Sequence, residues 1–262
     1  MDKELKIVIT GHVDHGKSTL IGRILYDTHS LTDEARGRLE QLEKQKRTST
    51  FASLIDQLQE EMEGEKTIDT TSTYFKTEKK SYVIIDAPGH KEYMKNMVTG
   101  AAKADLAIIV IAANEGVKEQ TKRHAFMLKL LGITDIIVVI TKMDIVAYSE
   151  KIHDFIVKEF DAYLKQSDIH SLAFVPISSE DGVGVLHPSS MQKWYKGDTL
   201  LDIFDKFHTK RIKEVDLTLP VQDIYAHDNS SYIVGRIEEG SVQINANVLI
   251  LPNKTNAKVI SL

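Results

Sequence analysis

Cysteine is absent from the 262 residues, which excludes a disulfide framework and a thiolate metal site and permits a reducing compartment. Long apolar runs are absent as well. The longest mostly apolar stretch, 104–113, is too short to span a bilayer, and the N-terminal Met1-Asp2-Lys3-Glu4 leads into a strand-like segment with no signal-peptide core. A soluble, cytoplasmic protein with no membrane partner is expected. Positive charge is not in excess either: 33 Lys and Arg against 38 Asp and Glu give a net charge of −5. That balance supplies no general attraction to DNA or to an anionic surface. Repeats and low-complexity tracts are missing. His12, His15, His29, His124, His153 and His170 show no paired metal-ligand spacing, so no transition metal is assigned and structural or surface roles are expected for them.

What is present is enough apolar residue, 42%, to bury a sizeable core. From residue 5 to about 207, short β-branched runs alternate with amphipathic segments of helix length, the pattern of βαβ units around a mostly parallel, doubly wound sheet. Strands are expected at 5–10, 70–76, 82–86, 105–112, 136–140 and 173–177, and helices at 17–27, 92–99, 118–131, 149–166 and 200–207. Between the first helix and the second strand lies an insertion, 28–69, rich in Glu, Lys, Arg and Gln and read as charged helices or a mobile loop. Beyond Lys213 the texture changes to alternating strands and turns at 220–225, 231–237, 248–251 and 257–262. The expected domains are therefore 1–213, an α/β domain, and 214–262, too short to close a typical barrel and read as the truncated start of one.

Three elements carry chemistry. Gly11-His12-Val13-Asp14-His15-Gly16-Lys17-Ser18 fits the phosphate-binding pattern of glycines followed by Lys-Ser, between a predicted strand and a predicted helix. Its backbone N–H groups can cradle phosphate oxygens, Lys17 can reach the β- and γ-phosphates, and Ser18 can ligate Mg²⁺. Thr19 completes the nucleotide-binding set. Asp86-Ala87-Pro88-Gly89-His90 follows an apolar strand, placing a carboxylate beside that loop to hold Mg²⁺ through water, while the Gly89 N–H can meet a γ-phosphate and lose it on hydrolysis. Thr141-Lys142-Met143-Asp144 follows another strand. Ionised Asp144 can accept from guanine N1–H and N2–H₂, donors adenine does not offer, and the Lys142 stem can lie along the ring.

Together these residues resemble the translation-factor class of P-loop GTPases over about 5–207, followed by the start of that class's second-domain β-barrel. The resemblance implies that His90 positions the attacking water, with Lys17 as the second catalytic group, and that Thr67 of Thr67-Ile68-Asp69 ligates Mg²⁺ with Ser18 and Asp86. It also implies that Ser178 and Ser179 of Pro176-Ile177-Ser178-Ser179 form the last guanine loop. GTP or GDP with Mg²⁺ are the implied cofactors. Within the class, the run Gly116 to His124, Lys129 to Ile133, Tyr148-Ser149-Glu150 and Trp194 to Leu201, the last also found in elongation factor one-alpha, are similar to the large GTPase subunit of heterodimeric sulfate adenylyltransferase, whose partner is a catalytic sulfurylase small subunit. That favours GTP hydrolysis coupled to ATP sulfurylation. The alternatives are an elongation-factor-like carrier with aminoacyl-tRNA and the ribosome as partners, and a GTP-dependent binding module with little hydrolysis.

The sequence departs from the class at two places. Gly64-Glu65-Lys66-Thr67 stands where Arg-Gly-Ile-Thr is usual, so Lys66 replaces the apolar residue that would pair with Val13 in gating the catalytic His. Lys66 then either points to solvent or approaches the γ-phosphate. Thr141 stands where Asn is usual; its hydroxyl can still tie the base turn to the phosphate loop, with one group where an amide has two. Ser179 for Ala leaves the expected backbone contact available.

Overall fold

The computed structural model describes residues 4–44, 50–55, 72–86, 104–208, 216–227 and 230–262. The chain forms two units, Met1–Phe207 and His208–Leu262. In the first, β1 (Leu5–Gly11), β2 (Ser72–Lys76), β3 (Ser81–Asp86), β4 (Leu106–Ala112), β5 (Asp135–Thr141) and β6 (His170–Pro176) build one six-stranded sheet in the order β2-β3-β1-β4-β5-β6. Every neighbouring pair is parallel except β2 with β3, so the expected doubly wound, mostly parallel α/β sheet is the one observed.

The inner strands β1, β3, β4 and β5 are rich in β-branched residues because both faces of the sheet are covered there. β4, Leu-Ala-Ile-Ile-Val-Ile-Ala, is buried at every position. Alternate residues go to opposite sides: Ile7, Ile9, Ile108 and Val110 join one apolar cluster, and Val8, Ala107, Ile109 and Ile111 the other. The first cluster is closed by α1 (Lys17–Asp27), α2 (Asp33–Lys44), the helical residues 50–55 and α5 (Leu200–Lys206). The second is closed by α3 (Glu119–Leu130) and α4 (Glu150–Gln166). In α4 the stripe His153, Ile156, Phe160 and Leu164 falls at helical spacing, with Glu150 in the first turn and Lys165 in the last to match the helix dipole.

In this unit two outcomes sharpen the sequence reading. The charged insertion is in part a wall of the core, since Leu31, Ala35, Leu39, Leu42, Phe51, Leu54 and Ile55 are buried in the first cluster. Leu31, Ala35, Leu39 and Leu42 recur at three- and four-residue steps, and Leu54 and Ile55 follow Phe51 by three and four, helical stripes that the surrounding charge conceals. β6 begins at His170 rather than 173, because its first residues still pair with β5. The helix expected at 92–99 lies outside the described residues.

In the second unit, β7 (Val221–His227) pairs antiparallel with β8 (Ser230–Gly235), and β9 (Asn247–Ile250) with β10 (Thr255–Lys258). β10 starts earlier than the expected 257–262, where its partner strand sets the register Thr255 to Ile250 and Lys258 to Asn247. No helix among the described residues is long and apolar enough to cross a membrane.

Candidate functional site

The parallel sheet sends the ends of β1, β3, β5 and β6 to one edge. Register places Asp86 of β3 against Ile9, Gly11 of β1 against Val110, Thr141 of β5 against Ala112 and Pro176 of β6 against Ile140. The order reverses about β1, the point in such sheets where loops diverge and leave a crevice. All three described motif segments therefore converge there.

Gly11 is required by packing: a Cβ on it would sit 2.7 Å from the Val110 carbonyl oxygen. After it the loop turns through left-handed Asp14 (φ 63) and Gly16 (φ 86), with the His15 N–H donating to the His12 carbonyl at 3.3 Å. Alternation of this kind makes a concave array of backbone N–H groups. Gly16 is also the N-cap of α1 and supplies no side-chain cap, so the amides that open this helix keep their donor capacity for an anion. The Lys17 ammonium arches over the loop and donates to the Gly11 and His12 carbonyls at 3.1 and 3.0 Å. Burial lowers its pKa, while Asp86 and Asp14 act the other way, which places both carboxylates within electrostatic reach of the ammonium. Ser18 and Asp86 together offer a hydroxyl and a carboxylate, hard oxygen donors of the type Mg²⁺ takes, and these residues fit that ion.

His15 separates into two roles. Its backbone belongs to the phosphate loop, but its imidazole is fully buried, with Nδ1 3.2 Å from the Val110 carbonyl and Nε2 3.6 Å from the Glu115 carboxylate. Burial lowers its pKa most, against the Val110 bond and Glu115. His124 is likewise buried and held down to about 4, by desolvation first and then by Lys17 and neighbouring histidines. Both imidazoles are buried and neither lies at the surface. Val13 is exposed at the tip of the loop.

The base turn is tied to the phosphate loop by one short bond: Thr141 Oγ1 donates to the His15 carbonyl at 2.7 Å, both groups being buried. Lys142 takes a left-handed conformation (φ 58), and the Met143 N–H donates to the Ile177 carbonyl at 3.2 Å, drawing the Ser178 loop alongside. Ser178 and Ser179 are buried, and the Ser178 N–H donates to Val183 O at 3.0 Å. Glu180 has its pKa raised by burial, then by Asp144 and Asp181, so three carboxylates gather around the base loops. Such a mouth favours a ligand edge that presents hydrogen-bond donors.

Thr67, Gly89 and His90, together with Lys66, lie outside the described residues. Tyr148, Asp181 and Arg23 connect the loops; from sequence Asp181 and Arg23 are not singled out and Tyr148 enters only within the run Tyr148-Ser149-Glu150, because a tyrosine, an aspartate and a helical arginine carry no local pattern that would assign them a role. Arg23 of α1 donates to the Glu180 carbonyl at 3.2 Å while its guanidinium lies over the Tyr26 and Phe51 rings.

With this geometry in place, the similarities are specific. Residues 2–210 match the model of the elongation factor Tu GTP binding domain. The chain belongs to that family of translation-factor-type GTPases. It is 40% identical over 254 residues to elongation factor 1-alpha of Pyrococcus furiosus and 39% identical over 257 residues to that of Methanopyrus kandleri. These matches cover 96% and 97% of the chain but 59% of each relative, so the chain spans about three fifths of their length. Among solved structures, Sup35 complexed with GDP aligns with a TM-score of 0.59 and 27% identity, covering 99% of this chain and 58% of that one. The elongation factor SelB from Methanococcus maripaludis, in complex with a GTP analogue, gives 0.53 and 25%, with coverage of 98% and 47%.

Proposed function

We propose that this chain binds guanine nucleotides and hydrolyses GTP to GDP and phosphate, as the switch of an elongation-factor-like protein. The observation that carries this reading is the Thr141 to His15 bond, which joins a lysine-bearing phosphate loop to an aspartate-bearing base turn at one sheet edge. Lys17 and the loop amides would stabilise the charge that builds on the phosphates. Ser18 and Asp86, with Thr67, would hold Mg²⁺, which when bound neutralises phosphate charge. His90 is proposed to orient the attacking water and Gly89 to sense the γ-phosphate. Asp144, with Lys142 beside the ring and the Ser178-Ser179 backbone opposite, would select guanine.

The relatives named above favour the carrier reading, with aminoacyl-tRNA and the ribosome as partners and the cytoplasm as location. None of them is a sulfate-activating protein, so the coupling to ATP sulfurylation and a sulfurylase small subunit drawn from sequence similarity has no support among them. The test is nucleotide selectivity. GDP is expected to bind at least 10²-fold more tightly than ADP, and Asp144→Asn to abolish most of that preference while gaining affinity for xanthosine diphosphate, whose ring carbonyl the new amide can serve. Equal GDP and ADP affinities in equilibrium titration would refute guanine recognition. GTP-dependent retention of aminoacyl-tRNA on a filter checks the carrier role.

A further inference from the structure

The segment after the base turn has a feature that packing alone does not require. Ala147 and Tyr148 are consecutive left-handed residues, φ 50 and 54, in a conformation that side chains other than glycine adopt only when their surroundings fix it. Here the surroundings do. The Tyr148 N–H donates to the Met143 carbonyl at 2.7 Å, and its own carbonyl accepts from Trp194 Nε1 at 3.0 Å. Trp194 in turn packs against His153, ring centroids 4.9 Å apart with the planes tilted by 50°. The twisted backbone aims the phenol across to the next loop, where its hydroxyl donates to Asp181 Oδ2 at 2.6 Å. The same carboxylate oxygen accepts from Ser178 Oγ at 3.3 Å, and Ser178 Oγ accepts from the Asp181 N–H at 3.3 Å. Arg23 holds the far side of this loop at the Glu180 carbonyl.

We propose that Tyr148 is a positioning residue for guanine recognition: its hydroxyl fixes Asp181, and through Asp181 and Ser178 sets the backbone that faces the base carbonyl O6. The proposal rests on the guanine-binding reading above. Two independent elements, the Met143 to Ile177 bond and the Tyr148 to Asp181 bond, then hold the base turn and the Ser178 loop in one geometry. Burial, followed by Asp181, pushes the phenol pKa up to about 12, so the hydroxyl remains a donor throughout the neutral range. Because the tyrosine hydroxyl is engaged with Asp181 of the Ser178 loop, it tunes how well O6 is met and leaves the reading of N1–H and N2–H₂ to Asp144.

The experiment is Tyr148→Phe in the whole chain, with dissociation constants measured for GDP, inosine diphosphate and inorganic pyrophosphate. GDP and inosine diphosphate share O6 and differ in the 2-amino group. Both are expected to bind roughly three- to tenfold more weakly, the loss of one charge-assisted hydrogen bond, with their ratio unchanged. Pyrophosphate, which meets the phosphate loop alone, is expected to bind as before. Asp181→Ala should give the same pattern and add little to Tyr148→Phe in the double variant. Unchanged GDP affinity in both single variants would overturn the proposal, as would a parallel loss for pyrophosphate, which marks general loosening. If the unaltered chain shows no preference for GDP over ADP, the guanine reading itself fails, and that result is distinct because it does not involve Tyr148.

Discussion

At the scale of single residues, Thr141 shows how a substitution within a motif can be absorbed. An amide there could bridge two groups, whereas the threonine hydroxyl reaches the His15 carbonyl at 2.7 Å and lies 3.3 Å from Ile111 O. Thr141→Val keeps the shape and deletes the donor, leaving a buried carbonyl unpaired, at a cost of about 1–3 kcal/mol. The expected result in urea unfolding is a lower midpoint with an unchanged slope, together with weaker GDP binding, since the phosphate loop loses its tether. The sequence made Thr141, Lys17 and Asp144 legible because each sits at fixed spacing after a strand. It assigned Tyr148, Asp181 and Arg23 no role because their meaning comes from meeting across chain separations that no local pattern encodes. The same limit applies to His15, whose side chain faces the sheet although its backbone lines the loop.

At the scale of elements, the insertion is the instructive case. Its composition reads as charged helices or a mobile loop, and α2 does present Arg38 and Glu34 as an i,i+4 pair at its surface. The stripe beneath that surface is buried, with Leu39 2% and Leu54 0% accessible. Leu39→Ala is therefore expected to cost about 2–5 kcal/mol, the range for deleting a core leucine, where a surface loop would show less than about 0.5. Calorimetry or urea unfolding separates the two. Parallel strands were legible to within a few residues because a continuous apolar run has few alternatives. A helix carrying its apolar stripe within a charge-rich segment is harder to recognise, since composition outweighs periodicity over so short a window. The aromatic group Phe75, Tyr82 and Phe204 makes a similar point: the Phe75 and Tyr82 rings stack with centroids 4.7 Å apart, and Tyr82 donates to Asp205 at 2.5 Å, locking α5 to the edge hairpin.

At the scale of the whole molecule, buried histidines tie stability to pH. His124 is held at about 4 by burial, against an ordinary value of 6.5, and burial lowers His15 as well. The unfolded chain therefore takes up more protons than the folded one as pH falls from about 6.5 towards 4, and stability is present above that window and lost within it. For His124 alone the loss between pH 7 and 5 is about 2 kcal/mol. Urea midpoints measured at the two pH values should fall accordingly, and His124→Leu should flatten the dependence. A steeper fall in that variant than in the parent would contradict the assignment.

The fully buried β4 has a consequence for sequence variation. It pairs with β1 and β5 and feeds side chains into both apolar clusters, so it has no face on which change is free. In a saturation library sorted for folded protein, its positions should accept only small, volume-matched exchanges, the even and odd ones failing through different layers. The exposed tip at Val13 should tolerate substitutions for folding and reject them only when nucleotide binding is selected. Comparing the two sorts would separate residues that hold the sheet from those that serve the ligand.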